Sequence, residues 1–183
     1  MTKYAKIMAT FGVLAGLGVA SLPLATFAAN NSETTVKVTV QEGISIANDN
    51  TTVDAGNKTP GEVGSVTANL TAATNNAAGL KITVKDKDTD TSLRNTSPSV
   101  TGSVAGVDII PTGTSGAGTW SIKGGDLAVD TAMVGSDHLT GLVVKNTTGP
   151  STENVPVTYC IEPGAAQRQG TYEDVIVYTV TKN

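Results

Sequence analysis

Short runs of alternating apolar and polar residues occupy most of this chain after residue 33. Near its end, residues 155–162 and 172–181 both alternate, and the second run also has Val175 and Val177 on its other face. A period of two residues is typical of a β-strand with one buried face. The two runs, separated by glycine-containing residues 163–171, predict a closing β-hairpin whose last strand is covered on both faces.

Earlier runs of alternating residues predict the other strands of the fold. Residues 34–46 predict a first strand, with Val36, Val38 and Val40 on one face and a bulge or kink at Gly43. The Thr-, Asn-, Gly- and Val-rich composition favours strands and turns over helices. About eight or nine short strands at this spacing predict an all-β, immunoglobulin-like antiparallel β-sandwich. The other predicted strands are residues 66–70, 80–84, 104–110, 119–123 and 139–145, while residues 86–103 and 124–138 are the least determined.

The first 28 residues have the pattern of a secretory signal peptide. Lys3 and Lys6 precede an apolar run over residues 7–24, and Thr26-Phe27-Ala28 ends it with small residues. Cleavage is expected after Ala28, or one residue later, and leaves one domain over residues 29–183 without a membrane span. A retained membrane anchor is the alternative interpretation.

The charge and cysteine content narrow the class of protein. The chain has 12 Lys and Arg against 16 Asp and Glu, and removal of the leader leaves 10 against 16, a net charge of −6. An acidic chain without basic clusters is not expected to bind nucleic acid. With one cysteine, Cys160, no internal disulfide forms in the exported chain. We therefore expect stability to come from sheet packing or from neighbouring copies.

Asp86, Asp88 and Asp90 are the weak candidates for a metal site. Three carboxylates at alternate positions resemble the start of a calcium loop. The sixth and twelfth positions are Thr91 and Ser97, where an EF-hand needs Gly and Glu. An ordinary solvated turn is the competing interpretation, and we expect no cofactor.

Trp120, Cys160 and His138 are the remaining candidates for chemistry. Trp120 is expected in the core of a strand, with a surface platform for a ligand as the alternative. Cys160 is either a buried small residue or an exposed thiol that pairs with another chain. His138 is flanked by Ser136 and Asp137, but neighbouring residues project apart and cannot converge as a catalytic triad. The sequence therefore predicts no catalytic residues and no enzyme.

Three segments together resemble a known family. They are residues 74–86 (TNNAAGLKITVKD), residues 118–123 (GTWSIK) and residues 169–181 (QGTYEDVIVYTVT). Their order and spacing resemble secreted surface proteins of small host-attached bacteria of the candidate phyla radiation. The closing Gly-Thr-Tyr strand is also similar, more loosely, to spore-coat-U-type secreted pilins and to WxL-type wall-binding domains. The first resemblance implies an exported β-sandwich at the cell surface.

These observations predict an exported structural or adhesive protein of the cell surface. Its subunits would assemble in a pilin-like or coat-like manner by β-strand pairing, with Val36, Val38 and Val40 in the pairing segment. Expected partners are further copies of the chain or components of the cell envelope. The alternatives are a carbohydrate- or wall-binding module with Trp120 exposed, and, more remotely, a hydrolase.

Overall fold

The computed structural model describes residues 34–97 and 108–183, and these form strands and loops without a helix. The chain divides into two units, Met1–Thr39 and Val40–Asn183, and the strands belong to the second. Over the described ranges, no helix is long and apolar enough to span a membrane. The strands are β1 (Ile44–Asn48), β2 (Gly64–Thr74), β3 (Leu80–Asp86), β4 (Arg94–Asn95), β5 (Ile110–Pro111), β6 (Thr119–Gly124), β7 (Leu127–Thr131), β8 (Leu142–Asn146), β9 (Ser151–Glu162), β10 (Tyr172–Glu173) and β11 (Ile176–Lys182).

The strands form two main sheets. The larger sheet has the order β1-β2-β9-β6, and the far side of β6 pairs with β5 along one half and with β7 along the other. The smaller sheet has the order β11-β3-β8, and β10 pairs with β4 as a separate short ribbon. All of these pairs are antiparallel except β5 with β6.

The core lies between the inward faces of these two sheets. Alternation along each strand directs every second side chain into it, and full burial of one such side chain stabilises the fold by about 1.5–3 kcal/mol. The hydroxyl groups of Tyr159 on β9 and Tyr178 on β11 hydrogen-bond across the layer at 2.5 Å. The most completely buried apolar side chains include Leu70, Leu80, Ile82, Val84, Ile109, Trp120, Ile122, Val144, Val155 and Val157.

The hairpin between β6 and β7 depends on Gly124 and Gly125. Both have positive φ, +135° and +57°. A side chain at Gly125 would place its Cβ 1.9 Å from the carbonyl oxygen of Val144, so only glycine fits there. This turn leads into β7, Leu127–Thr131, which lies within the residues 124–138 that the sequence pattern leaves undetermined.

The prediction of an all-β sandwich is confirmed, but the predicted closing hairpin is wrong. β9 pairs with β2 and β6, whereas β11 pairs with β3, so the two runs lie in different sheets. The connection between them contains the short strand β10, which pairs with β4. The expectation of a last strand covered on both faces is also wrong, because Val175 and Val177 are 55% and 37% exposed.

The predicted first strand is wrong over its first half. The strand begins at Ile44, and residues 34–43 have no strand assignment. Gly43 lies at the start of the strand, where its N–H is bound by the Asn75 side chain at 2.7 Å. The strand predicted at 139–145 begins at Leu142. The signal-peptide prediction, Asn30 and residues 104–107 lie outside the described residues.

Candidate strand-pairing edge

β11 is an edge strand whose backbone has one free side. Within the described part of the chain it pairs with β3. Just outside the two ends of that ladder, Lys87 N donates to Val175 O at 2.9 Å and Asn183 N donates to Gly79 O at 3.3 Å. Because hydrogen bonding alternates along an antiparallel strand, odd-numbered residues of β11 direct their N–H and C=O groups towards β3. The backbone groups of the even-numbered residues therefore face the open side.

The same even-numbered residues form an incompletely covered apolar row. Ile176, Tyr178 and Val180 point inward and pack against the core, yet each is half-exposed. The inward side chains on the neighbouring strand β3 are completely buried. The inward side chains are therefore less completely buried at the β11 edge, where apolar surface and backbone hydrogen-bonding groups are both open to a further strand.

β1 forms the facing edge of the larger sheet. Ile46 on β1 is half-buried against the core, and β1 approaches β11 without a ladder between them. The start of β1 is held by polar contacts, since Asn75 Nδ2 donates to Gln41 O at 2.8 Å. An ion pair between Lys182 and Glu42 at 3.3 Å bridges the two edges at one end. Exposed ion pairs of this kind contribute at most about 1 kcal/mol.

Residues 34–40 present three exposed valines outside any strand. Val36, Val38 and Val40 are 91%, 83% and 77% exposed. They alternate with Lys37 and Thr39, so in an extended conformation the valines share one face. An exposed, alternating apolar segment has the pattern that strand addition to a sheet edge requires.

Tyr178 on the edge strand β11 and Tyr159 on the central strand β9 hold the two sheets together as neutral groups. Burial raises the pKa of Tyr159 and of Tyr178 above the ordinary phenol value. One hydroxyl therefore donates to the other at neutral pH. This contact fixes the middle of β11 against β9 and positions its free side.

Trp120 is a core residue in this fold. It is 1% exposed, and its ring lies 6.4 Å from that of Tyr159 in a stacked arrangement. Its indole N–H donates to the Thr91 carbonyl at 3.0 Å. The carbohydrate-binding alternative needed an exposed Trp120, so this placement leaves it without a ligand platform.

Cys160 lies on the opposite face of β9 from the core and is nevertheless 7% exposed. Its register neighbours are Ser65 on β2 and Ser121 on β6. Negative charge on the Cys160 sulfur, followed by the charge of the Asp130 carboxylate, raises the pKa of the nearby Lys123 ammonium. Within this chain Cys160 is therefore a buried small residue.

The three aspartates proposed for calcium do not converge. Asp86 is buried at the end of β3, and Asp88 is exposed. Asp90 binds the Arg94 guanidinium, which lowers the pKa of that carboxyl. Among residues 34–97 and 108–183, no three acidic, His or Cys side chains are grouped to hold a metal ion. Successive Asx turns explain the spacing instead, since Asp88 N donates to Asp86 Oδ1.

His138 lies in an exposed loop. Its backbone N–H donates to Gly135 O at 3.1 Å, and the next residue, Leu139, is fully exposed. The loop borders a shallow open depression that Met133 and Thr91 also line. Neighbouring Ser136 uses its backbone N–H to bind Asp88 O at 2.6 Å.

Sequence reasoning identified neither the open side of β11 nor the burial of the Asp174 carboxyl oxygen. The alternation that identified Tyr178 and Val180 as inward-facing does not say whether a further strand lies beside them. Asp174 shares their parity, so extrapolation of the period would have placed it on the inner face.

The comparisons with known proteins find little beyond a distant structural likeness. No protein-family model matches the chain, and no curated protein matches it. A chain from a solved chaperone–usher pilus, described as revealing the basis of rod uncoiling, is similar at 14% identity. The match covers 86% of this chain and 99% of that one, with a TM-score of 0.46. A TM-score below 0.5 does not establish a shared fold.

Proposed function

We propose that the chain is an exported, pilin-like structural subunit of a surface fibre or coat. In this proposal residues 30–40 of one copy pair with the free side of β11 in the next copy. The observation that supports it best is the combination of open backbone groups and half-exposed side chains at Ile176, Tyr178 and Val180. The proposal includes an extracellular location and a non-enzymatic role. The proposal also includes an evolutionary relationship to the secreted surface proteins that the sequence resembles.

The donor segment and the acceptor edge match in period and length. Val36, Val38 and Val40 repeat every two residues, as do Ile176, Tyr178 and Val180. Two residues of a strand span about 6.6 Å, so three valines reach along the same length as the three acceptor side chains. The described residues 34–40 number seven, as does β11.

The energy of such pairing has two sources. Backbone hydrogen bonds to the open groups of β11 contribute roughly 0.5–1.5 kcal/mol each. Burial of each valine adds roughly 1.5–3 kcal/mol before the cost of ordering the segment is subtracted. Together these terms favour association of copies without any enzyme chemistry.

Deletion of residues 30–41 from the exported chain is expected to convert its assemblies into monomers. The deletion removes the donor strand and leaves β1 to β11 in place. Mass photometry and size-exclusion chromatography of both chains measure the change. A deletion chain that still assembles to the same size, or a parent chain that is already a monomer, would contradict the proposal.

A matched control keeps the segment but alters its other face. Replacing Thr35, Lys37 and Thr39 together by serine leaves the three valines and the length unchanged. Because these side chains would point away from the acceptor core, assembly should persist. Loss of assembly in this variant as well would indicate that the segment does not act through a valine face.

A further inference from the structure

The carboxyl groups of buried Asp86 and half-buried Asp174 lie together at the beginning of the last strand. Asp86 is the last residue of β3 and is 1% exposed, and Asp174 precedes β11 by two residues. Each uses Oδ1 to accept a backbone N–H, from Asp88 at 3.0 Å and from Val175 at 2.7 Å. In the described part of the molecule, Oδ2 of each is buried without a hydrogen-bond donor. Asp86 is the register partner of Ile176, so the pair lies at the junction of β3 with β11.

Two such oxygens need a proton between them. A buried carboxylate oxygen without a donor costs free energy, and two adjacent carboxylates repel each other when both are ionised. One proton on the pair removes the repulsion and supplies the missing hydrogen bond. This is how paired carboxyl groups behave in a site of restricted solvent.

We propose that Asp86 and Asp174 share one proton that fastens the start of β11 to the end of β3. Loss of this proton as the pH rises leaves two facing carboxylates and loosens the junction. The attachment of the last strand is therefore sensitive to pH in a range above that of ordinary aspartates. The inference concerns the stability of β11 and does not rest on assembly between copies.

The environment of the pair supports this assignment. Burial, followed by the hydrogen bond with Asp86 and the charges of Asp86 and Asp88, raises the pKa of Asp174 from 3.8 to about 8. The adjacent cations are engaged elsewhere or exposed: Lys85 Nζ donates to Ser136 O at 3.1 Å, and Lys87 is exposed.

The other charged groups on elements packed nearby are Glu173 and Arg94 on the β10–β4 ribbon and Asp137 and His138 on the adjoining loop.

The direction of the pH effect follows from the proton count. An unfolded aspartate has a pKa near 3.8, while Asp174 in the folded chain holds its proton to about pH 8. Between these values the folded state binds more protons than the unfolded state, so stability falls as the pH rises. The contribution is complete below about pH 4 and lost above about pH 8. Because the two states differ by at most one proton, the unfolding constant can rise by at most about tenfold per pH unit.

Urea unfolding of the whole chain between about pH 5.5 and 8.5 tests the proposal. The unfolding constant of the parent chain is expected to rise by roughly two- to tenfold per pH unit, because Asp174 is only half-buried. In Asp174→Asn the amide donates to Asp86 at every pH, and this slope should disappear. Asp54→Asn, which alters an exposed aspartate in the connection between β1 and β2, should keep the parent slope.

Carboxyl carbon NMR of the parent chain gives a second reading that does not depend on any variant. One aspartate should titrate with a midpoint near pH 8 if the proton is shared. The proposal is overturned if every aspartate titrates below about pH 5.5, or if Asp174→Asn shifts the whole stability curve without changing its slope. It is also overturned if millimolar calcium stabilises the parent chain at high pH but not Asp174→Asn, since a cation would then occupy the pair.

Discussion

Replacing Trp120 by alanine is expected to lower the free energy of unfolding by about 3–5 kcal/mol. The side chain is completely buried between the sheets, stacks on Tyr159 and donates to the Thr91 carbonyl. Its removal leaves a large cavity and an unpaired carbonyl, and the surrounding strands are too regular to collapse into the space. Equilibrium unfolding in urea measures the change.

Leu139→Ala is the control for this experiment. Leu139 is 98% exposed in a loop, so its truncation should change the free energy of unfolding by less than about 0.5 kcal/mol. A loss of less than about 1 kcal/mol in Trp120→Ala would mean that Trp120 is not a core residue. The ligand-platform alternative would then regain its basis.

Replacing Val38 by aspartate is expected to weaken association between copies by about 100-fold or more. Val38 is the middle of the three valines and would enter the acceptor edge. The substitution loses about 1.5–3 kcal/mol of apolar burial and adds the cost of burying a charge without a partner. Stability of the separate subunit should not change, because the residue is exposed in it. Analytical ultracentrifugation measures association and urea unfolding measures stability.

Thr39→Asp introduces the same charge one residue away. In an extended segment Thr39 points to the opposite face, so its substitution should weaken association by less than about tenfold. Equal losses in the two variants would show that charge alone, and not the valine face, controls association. That result would remove the donor role from residues 34–40.

The local pattern predicted the class of fold well because alternation is a local property. The runs around Leu70, Ile82, Trp120 and Val157 alternate as strands with one buried face, and the structure buries that face. Pairing partners are not local. The alternation at 155–162 is the same whether the strand pairs with 172–181 or with β2 and β6, so the closing hairpin could not be distinguished from a crossover between sheets.

The first predicted strand fails for a related reason. Val36, Val38 and Val40 have strand-like alternation, but a strand also needs a neighbour. Within the described residues these positions have no strand assignment, while Ile44 and Ile46 pair with β2. Sequence period alone does not reveal whether the neighbour belongs to the same molecule.

For the acidic residues the error was the opposite one. The spacing of the three carboxylates was given more weight than the alternation of buried and exposed positions along the strand. Asp86 follows Leu80, Ile82 and Val84 at the same parity, so the pattern places it on the buried face. The spacing of Asp86, Asp88 and Asp90 suggested a solvated loop or a calcium site instead. The distance in sequence between Asp86 and Asp174 concealed their meeting, which depends on the pairing of β3 with β11.

Amide hydrogen exchange at β11 tests the proposed pairing most directly. A synthetic peptide of residues 30–41 is added to a chain that lacks those residues, and exchange is followed by NMR. A peptide with all three valines changed to serine is the control. We predict that the amides of Ile176, Tyr178 and Val180 exchange rapidly alone and slowly with the parent peptide, whereas Val177 and Thr179, already bonded to β3, are slow in both. Unchanged exchange at the three even-numbered residues, or protection at another edge strand, would contradict the account.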